Sequence, residues 1–161
     1  MGKSSLINAL LSRRNLVKVS SQPGLTQSIN FFLINENIFC VDLPGYGFAK
    51  APKEVTAKWK TLIEGYFQAK RDLRVVVCIF DIRRLPDRMD TDLLEYLNTL
   101  GINTLIVLNK ADKISQPKRI AQVNSIINLF PPLEGKPFLV SAHTGEGIKT
   151  VMNQLMNSLC K

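Results

Sequence analysis

The sequence predicts an α/β fold built on a mostly parallel sheet, and three observations predict it. Short apolar runs of strand length alternate with segments of helical periodicity from one end of the chain to the other. The chain has 161 residues, 45% of them apolar, which suits one compact domain with a real core and leaves no room for a second domain of ordinary size. Neither an internal repeat nor a low-complexity tract interrupts the alternation.

The elements follow in order. Strands are expected at residues 29–33, 38–41, 75–81, 104–109 and 138–141. The first helix starts near Lys3 and runs through Leu6, Ile7, Leu10 and Leu11. The second spans 53–70, where Val55, Trp59, Leu62, Ile63, Tyr66 and Phe67 fall at helical spacing and are read as a core-facing stripe. A third covers 90–100 and is stopped by Gly101; a fourth follows Ser115 with Pro117 in its first turn; a fifth runs over 147–159. The Pro-rich stretch 130–137 reads as a loop feeding the last strand.

Charge and cysteine content narrow the class. Twenty-one Lys and Arg against thirteen Asp and Glu give a formal charge of +8, a bias toward anionic partners that does not by itself separate RNA from lipid or from plain solubility. No apolar run has the length of a membrane span and none near the N-terminus resembles a signal segment, so a soluble cytoplasmic protein with no membrane partner is expected. Cys40, Cys78 and Cys160 show neither CxxC nor His/Cys metal spacing and are read as reduced core residues.

Five short motifs carry the chemistry. Gly2-Lys3-Ser4-Ser5 leads directly into an amphipathic helix, as the second half of a phosphate-binding loop, GxxxxGK[ST], does. There, helix-start N–H groups face the β-phosphate, Lys3 brings a mobile positive charge to the β and γ oxygens, and the Ser4 hydroxyl binds Mg²⁺. Taken singly, the same residues would also suit an N-terminal helix with a chance lysine. Asp42-Leu43-Pro44-Gly45 follows a strand directly. Its carboxylate is placed to hold Mg²⁺ through water, and Gly45 lets a backbone N–H approach a γ-phosphate; a polar turn has the same composition.

Asn109-Lys110-Ala111-Asp112 also follows a strand. A carboxylate at Asp112 can accept two parallel hydrogen bonds from the ring N–H and amino group of guanine, a pair of donors that adenine lacks. Lys110 is expected to lay its stem along the base and Asn109 to tie this loop to the phosphate loop. Ser141-Ala142-His143 follows the last strand, where small residues let backbone N–H groups reach guanine O6. His143, the only histidine, is read as a loop residue and not as a catalytic base, since no nucleophile accompanies it. In Pro23-Gly24-Leu25-Thr26, the Thr26 hydroxyl is suited to Mg²⁺ and its N–H to the γ-phosphate. Each signal is weak alone; five in the order phosphate, switch, DxxG, base, base, each at the edge of an expected element, are a strong one.

On those residues the chain resembles the EngB (YihA/YsxC) family of P-loop GTPases, essentially from Gly2 to the C-terminus. More specific than the shared motifs are Pro23-Gly24-Leu25-Thr26-Gln27 followed by Ile29-Asn30-Phe31-Phe32, the extended Asp42-Leu43-Pro44-Gly45-Tyr46-Gly47-Phe48-Ala49, and Asp81-Ile82-Arg83-Arg84. The resemblance implies a three-layer P-loop GTPase fold, binding of GTP and GDP with Mg²⁺, GTP hydrolysis, a monomer, a role in assembly of the large ribosomal subunit, and a link to cell division and septation. It places the phosphates on Gly2, Lys3, Ser4 and Ser5, and the metal on Ser4, Thr26 and Asp42. The γ-phosphate sensors fall on Gly24, Leu25, Thr26 and Gln27 and on Asp42, Leu43, Pro44 and Gly45, with Ser28 also among the nucleotide-binding residues. Guanine falls on Asn109, Lys110, Ala111 and Asp112 with Ser141, Ala142 and His143, and catalysis on Lys3, Thr26 and Gly45. Many relatives have Thr where this chain has Asn109, a departure toward the general GTPase pattern.

Two further departures shape expectations. After DxxG, where other GTPases place a glutamine that orients water, this chain has Tyr46, so slow intrinsic hydrolysis is expected, with help from a monovalent cation or a ribosomal partner. The family also carries a strand and four or more loop residues ahead of Gly-Lys-Ser. Here only Met1 precedes them, so an N-terminally incomplete domain is expected, through a valine GTG codon misassigned as a start. Two rival readings stand beside the GTPase. One is a nucleotide-independent ribosome- or RNA-binding fragment using Lys50, Lys53, Lys58, Lys60, Lys70, Arg71 and Arg74, charges that a solvated helix face also explains. The other, a P-loop ATPase or kinase, conflicts with Asn109 to Asp112.

Overall fold

A computed structural model of the chain describes residues 2–12, 29–45, 53–69, 71–132 and 135–160. The chain divides into two compact units, residues 1–19 with 73–161, and residues 20–72. The first carries α1 (Lys3–Leu10), β3 (Val76–Asp81), α3 (Arg88–Thr99), β4 (Thr104–Asn109), a 3-10 turn (Ala111–Lys113), α4 (Gln116–Ile127), β5 (Phe138–Leu139) and α5 (Ile148–Leu159). The second carries β1 (Asn30–Ile34), β2 (Ile38–Asp42) and α2 (Lys53–Gln68).

In the first unit the three strands are parallel in the order β3-β4-β5, with Val76 opposite Thr104, Asp81 opposite Asn109 and Val107 opposite Phe138. β4 is buried along almost its whole length, which is why it reads as a continuous apolar run and not as an alternation. One face of the sheet packs Val77, Ile79, Val107 and Val140 against Leu6 and Leu10 of α1 and Ile148, Val151 and Leu155 of α5. Leu6, Val107, Val140 and Val151 have no exposed surface, and each such aliphatic side chain contributes about 1.5–3 kcal/mol by leaving water. The other face takes Cys78 and Phe80 of β3 and Ile106 and Leu108 of β4, all buried. There Phe80 meets Phe130 with ring centroids 4.9 Å apart, and the Gln122 side chain of α4 donates to the Ile82 carbonyl at 2.8 Å. Helices thus cover both faces of a parallel sheet, the layered α/β arrangement expected.

Element ends differ from the sequence reading where side chains decide them. α3 begins at Arg88, two residues ahead of the expected start, because the Asp87 carboxylate accepts from the Met89 and Asp90 N–H groups while Asp90 accepts from the Asp87 N–H. This is a capping box written with two aspartates. β5 stops at Leu139; the Val140 N–H still donates to Leu108, but at Ser141 the chain turns away.

In the second unit β1 and β2 pair antiparallel, Asn30 opposite Asp42 and Ile34 opposite Ile38, through a turn in which Asn35 and Glu36 both have positive φ. The α2 stripe is only partly core. Ile63 and Tyr66 are buried and Trp59 and Phe67 half-buried, whereas Val55 and Leu62 are 51% and 37% exposed. Both sit toward the same side of the line through Ile63 and Tyr66. The cysteines also divide: Cys78 is buried, Cys40 half-buried and Cys160 exposed, the last correcting its placement in the core. Among the described residues no helix is long and apolar enough to cross a membrane.

Candidate nucleotide-binding site

The motif residues of the first unit gather at the carboxyl edge of its parallel sheet, where open α/β sheets bind ligands. Asp81 ends β3, Asn109 ends β4 in register beside it, and Ser141 begins the turn after β5. At this edge α1 starts at Lys3, with Gly2 as its N-cap in the left-handed region at φ 84° and no acidic residue in its first turn. Its N–H groups and positive dipole end are therefore uncompensated by any carboxylate of that turn, as an anion-binding helix start requires. A Cβ at Gly2 would lie 2.9 Å from Asn109 Nδ2 and 3.7 Å from Lys110 Cε, so glycine is needed both for the backbone angle and for the close approach.

Asn109, 2% exposed, accepts at Oδ1 from the Lys110 N–H at 2.8 Å and from the Ala142 N–H at 3.2 Å. It thus joins both base-side loops while its amide nitrogen lies against Gly2. A second tie runs from the Ala111 N–H to the Val140 carbonyl at 2.9 Å. The Asp112 carboxylate accepts from the Ser141 hydroxyl at 2.7 Å, and that hydroxyl accepts from the Thr144 N–H at 3.1 Å. Lys113 Nζ lies 3.2 Å from the other Asp112 oxygen. The Ser141 hydrogen bond, with Lys113 beside it, lowers the Asp112 carboxyl below the usual carboxylate range despite some desolvation. The group is an ionised acceptor, as recognition of a paired N–H donor demands. Of the backbone N–H groups expected to reach guanine O6, that of Ala142 is engaged by Asn109, and His143 is exposed in the following turn.

Behind these loops stand three ion pairs that sequence reasoning missed. Asp81 accepts from Arg83 at both oxygens, 2.8 Å from Nε and 2.7 Å from Nη2, and from Lys110 Nζ at 2.7 Å. Partial burial would raise its carboxyl, but the Arg83 and Lys110 hydrogen bonds outweigh that and hold it well below the usual carboxylate range. The signal was the string Asp81-Ile82-Arg83-Arg84, noted only as a family mark. Arg119, 9% exposed on α4, donates from Nε to the Ile114 carbonyl at 3.1 Å and pairs with Glu146, whose own carbonyl accepts from the Ser141 N–H. One basic residue in a helix offers no sequence signal for that role.

In the second unit Asp42 ends β2 and is 1% exposed, and the Trp59 indole donates to the carbonyl of Pro44 at 2.7 Å. Gly24, Leu25, Thr26, Gln27 and Ser28 lie outside the described residues, as does Tyr46. Ser4 and Asp42 offer a hydroxyl and a carboxylate, hard oxygen donors of the kind Mg²⁺ takes. Among the described residues no cluster of three or more His, Cys, Asp or Glu side chains could hold a metal ion.

The sequence profile of the 50S ribosome-binding GTPase family matches residues 1–110. The chain is 48% identical over 126 residues to the probable GTP-binding protein EngB of Desulforapulum autotrophicum, an alignment that covers 78% of this chain and 65% of that one. It is 45% identical over 153 residues to the probable GTP-binding protein EngB of Halothermothrix orenii, covering 94% of this chain and 77% of the relative. A crystal structure of a probable GTP-binding protein EngB superposes with a TM-score of 0.79 at 26% identity, over 98% of this chain and 92% of the other. With these matches and a sheet edge that brings Gly2, Asn109, Asp112 and Ser141 together, the chain belongs to the EngB family of P-loop GTPases.

Proposed function

We propose that this protein binds guanine nucleotide at the carboxyl edge of the β3-β4-β5 sheet and hydrolyses GTP slowly to GDP. The carrying observation is Asn109, whose one side chain holds Lys110 and Ala142 of the base-side loops and packs on Gly2 of the phosphate loop. Base and phosphates of one nucleotide would thereby be read by a single connected framework. Asp112, oriented by Ser141, accepts from guanine; the helix start at Gly2, Lys3, Ser4 and Ser5 receives the phosphates.

Ser4 and Asp42 would hold Mg²⁺ with Thr26, and the bound ion would neutralise charge on the β- and γ-phosphates. Gly24, Leu25, Thr26 and Gln27, with Asp42, Leu43, Pro44 and Gly45, would sense the γ-phosphate, and Ser28 would join the nucleotide contacts. Lys3 acts on the β and γ oxygens. Tyr46 in place of a water-orienting glutamine keeps hydrolysis slow until a cation or partner assists. The family description supports the large ribosomal subunit as that partner, and we extend the reading, as the resemblance to the EngB family implies, to a cytoplasmic, monomeric protein of one GTP-binding domain acting in ribosome assembly and needed for division and septation. The rival RNA-binding surface has less support: Lys60 pairs with Glu64 at 3.7 Å on an exposed face, and Arg71 lies over the rings of Phe31 and Tyr66.

Calorimetry with GDP, ADP and xanthosine diphosphate tests the reading. Wild type is expected to prefer GDP over ADP by on the order of 10⁴, since a site built to pair with donors rejects a base that lacks them. Asp112→Asn is expected to weaken GDP and admit the xanthine nucleotide, whose carbonyl stands where guanine has an amino group. Equal uptake of GDP and ADP by wild type would overturn it.

A further inference from the structure

We infer that Asp81, itself fixed by Arg83, is a positioning residue for base recognition, holding the Lys110 side chain across the site so that its stem forms a wall of the base pocket. The inference rests on the guanine-nucleotide reading and concerns how that site is pre-ordered. The path of Lys110 is laid out by three points. Its backbone is in the left-handed region at φ 67°, its Cε passes 3.7 Å from the Cβ position of Gly2, and its Nζ ends 2.7 Å from Asp81 Oδ2. The stem thus runs from the base-side loop past the phosphate loop to the adjacent strand. The register of β3 and β4 makes this reach possible, because Asp81 and Asn109 are direct neighbours and Lys110 is the next residue.

Asp81 does not need Lys110 for its own neutralisation. The Arg83 guanidinium already forks onto both of its oxygens, and the Arg83 N–H adds a third bond to Oδ1 at 3.1 Å. Those bonds fix the rotation of the carboxylate, 9% exposed, and so fix where the ammonium of Lys110 can rest. The neighbouring Arg84 is committed elsewhere, to Asp87 and Asp90, so the two arginines of the run do different work. The physical gain is pre-organisation. A lysine stem has many rotamers, and a stem already held in place is not ordered at the base's expense when nucleotide arrives.

A double-mutant cycle read by stopped-flow release of fluorescent GDP tests this. Asp81→Asn is expected to weaken GDP about tenfold, mainly through faster release, as loss of one charge-assisted hydrogen bond would. Lys110→Met, which keeps the stem length without the ammonium, is expected to weaken it by a similar factor. In the Lys110→Met background Asp81→Asn should add less than about twofold, since its route to the base is already cut. Arg83→Gln, at a half-exposed position, should cost about threefold alone and nothing beside Lys110→Met, which keeps the test open should Asp81→Asn fail to fold. Equal costs in both backgrounds would show that Asp81 acts by another route and would overturn the inference while leaving the nucleotide reading intact. A wild-type protein that takes up no GDP would end both.

Discussion

The indole N–H of Trp59 donates to the carbonyl oxygen of Pro44 at 2.7 Å, so α2 grips the backbone of the loop that follows β2. Pro44 is one of the residues proposed to sense the γ-phosphate, and Trp59 is the only tryptophan in the chain. Its emission is therefore expected to differ between the GDP-bound protein and the protein bound to a non-hydrolysable GTP analogue. Trp59→Phe keeps an aromatic six-membered ring but removes the pyrrole ring with its donor, and should lower the free energy of urea unfolding by about 1 kcal/mol or more. Identical emission spectra in the two nucleotide states would show that the loop does not move against α2.

Arg119 joins the two loops that flank Asp112, reaching the Ile114 carbonyl on one side and Glu146 on the other. Because it is almost fully buried, replacement by methionine would leave both partners without their donor while filling the same space. Arg119→Met is expected to cost about 1.5–3 kcal/mol of stability, the range for hydrogen bonds to charged groups, and to speed GDP release. A denaturant titration paired with the release rate checks it. A variant of unchanged release rate would mean that Arg119 supports the fold alone.

What the sequence disclosed and what it withheld divide along the range of the interactions. β4 was legible to the residue because 105–108 is an unbroken apolar run bounded by the polar residues Thr104 and Asn109, and a doubly covered strand has that pattern. The approach of Asn109 to Gly2 was legible because the motifs name both partners. Arg119 with Glu146 and Trp59 with Pro44 are separated by 27 and 15 residues, and local periodicity carries no information about such pairs. The α2 stripe marks which side of a helix is apolar but not how much of it is covered, and Val55 and Leu62 of that stripe are exposed. The start of α3 was misplaced because its capping box substitutes aspartate for both of the usual residues.

Cys78 lies inside the sheet facing α3, and burial, with the Asp90 carboxylate adding to it, pushes its thiol up to about 12. Thiolate is the reacting form, so Cys78 should resist alkylation at pH 8 while the exposed Cys160 reacts. Mass spectrometry after iodoacetamide, in buffer and then in denaturant, reads the difference. Modification of native Cys78 at a rate like that of Cys160 would show that the layer between β3 and α3 opens readily.

Asp81 also leaves a mark on acid stability. Its folded-state carboxyl is held below the unfolded value of about 3.9, so its contribution is fully present above that pH and is lost as pH falls through the window beneath it. The sign follows from proton counting: in that window the unfolded chain binds more protons than the folded one, and stability rises with pH. Asp81→Asn cannot titrate, so the gap in unfolding free energy between wild type and variant should be constant above about pH 5 and should narrow on acidification. Asp112, also lowered, is common to both proteins and cancels in the comparison. Urea titrations across the acid range supply the measurement, and a gap that stays constant down to the acid transition would mean that Arg83 and Lys110 do not hold Asp81 in its ionised form.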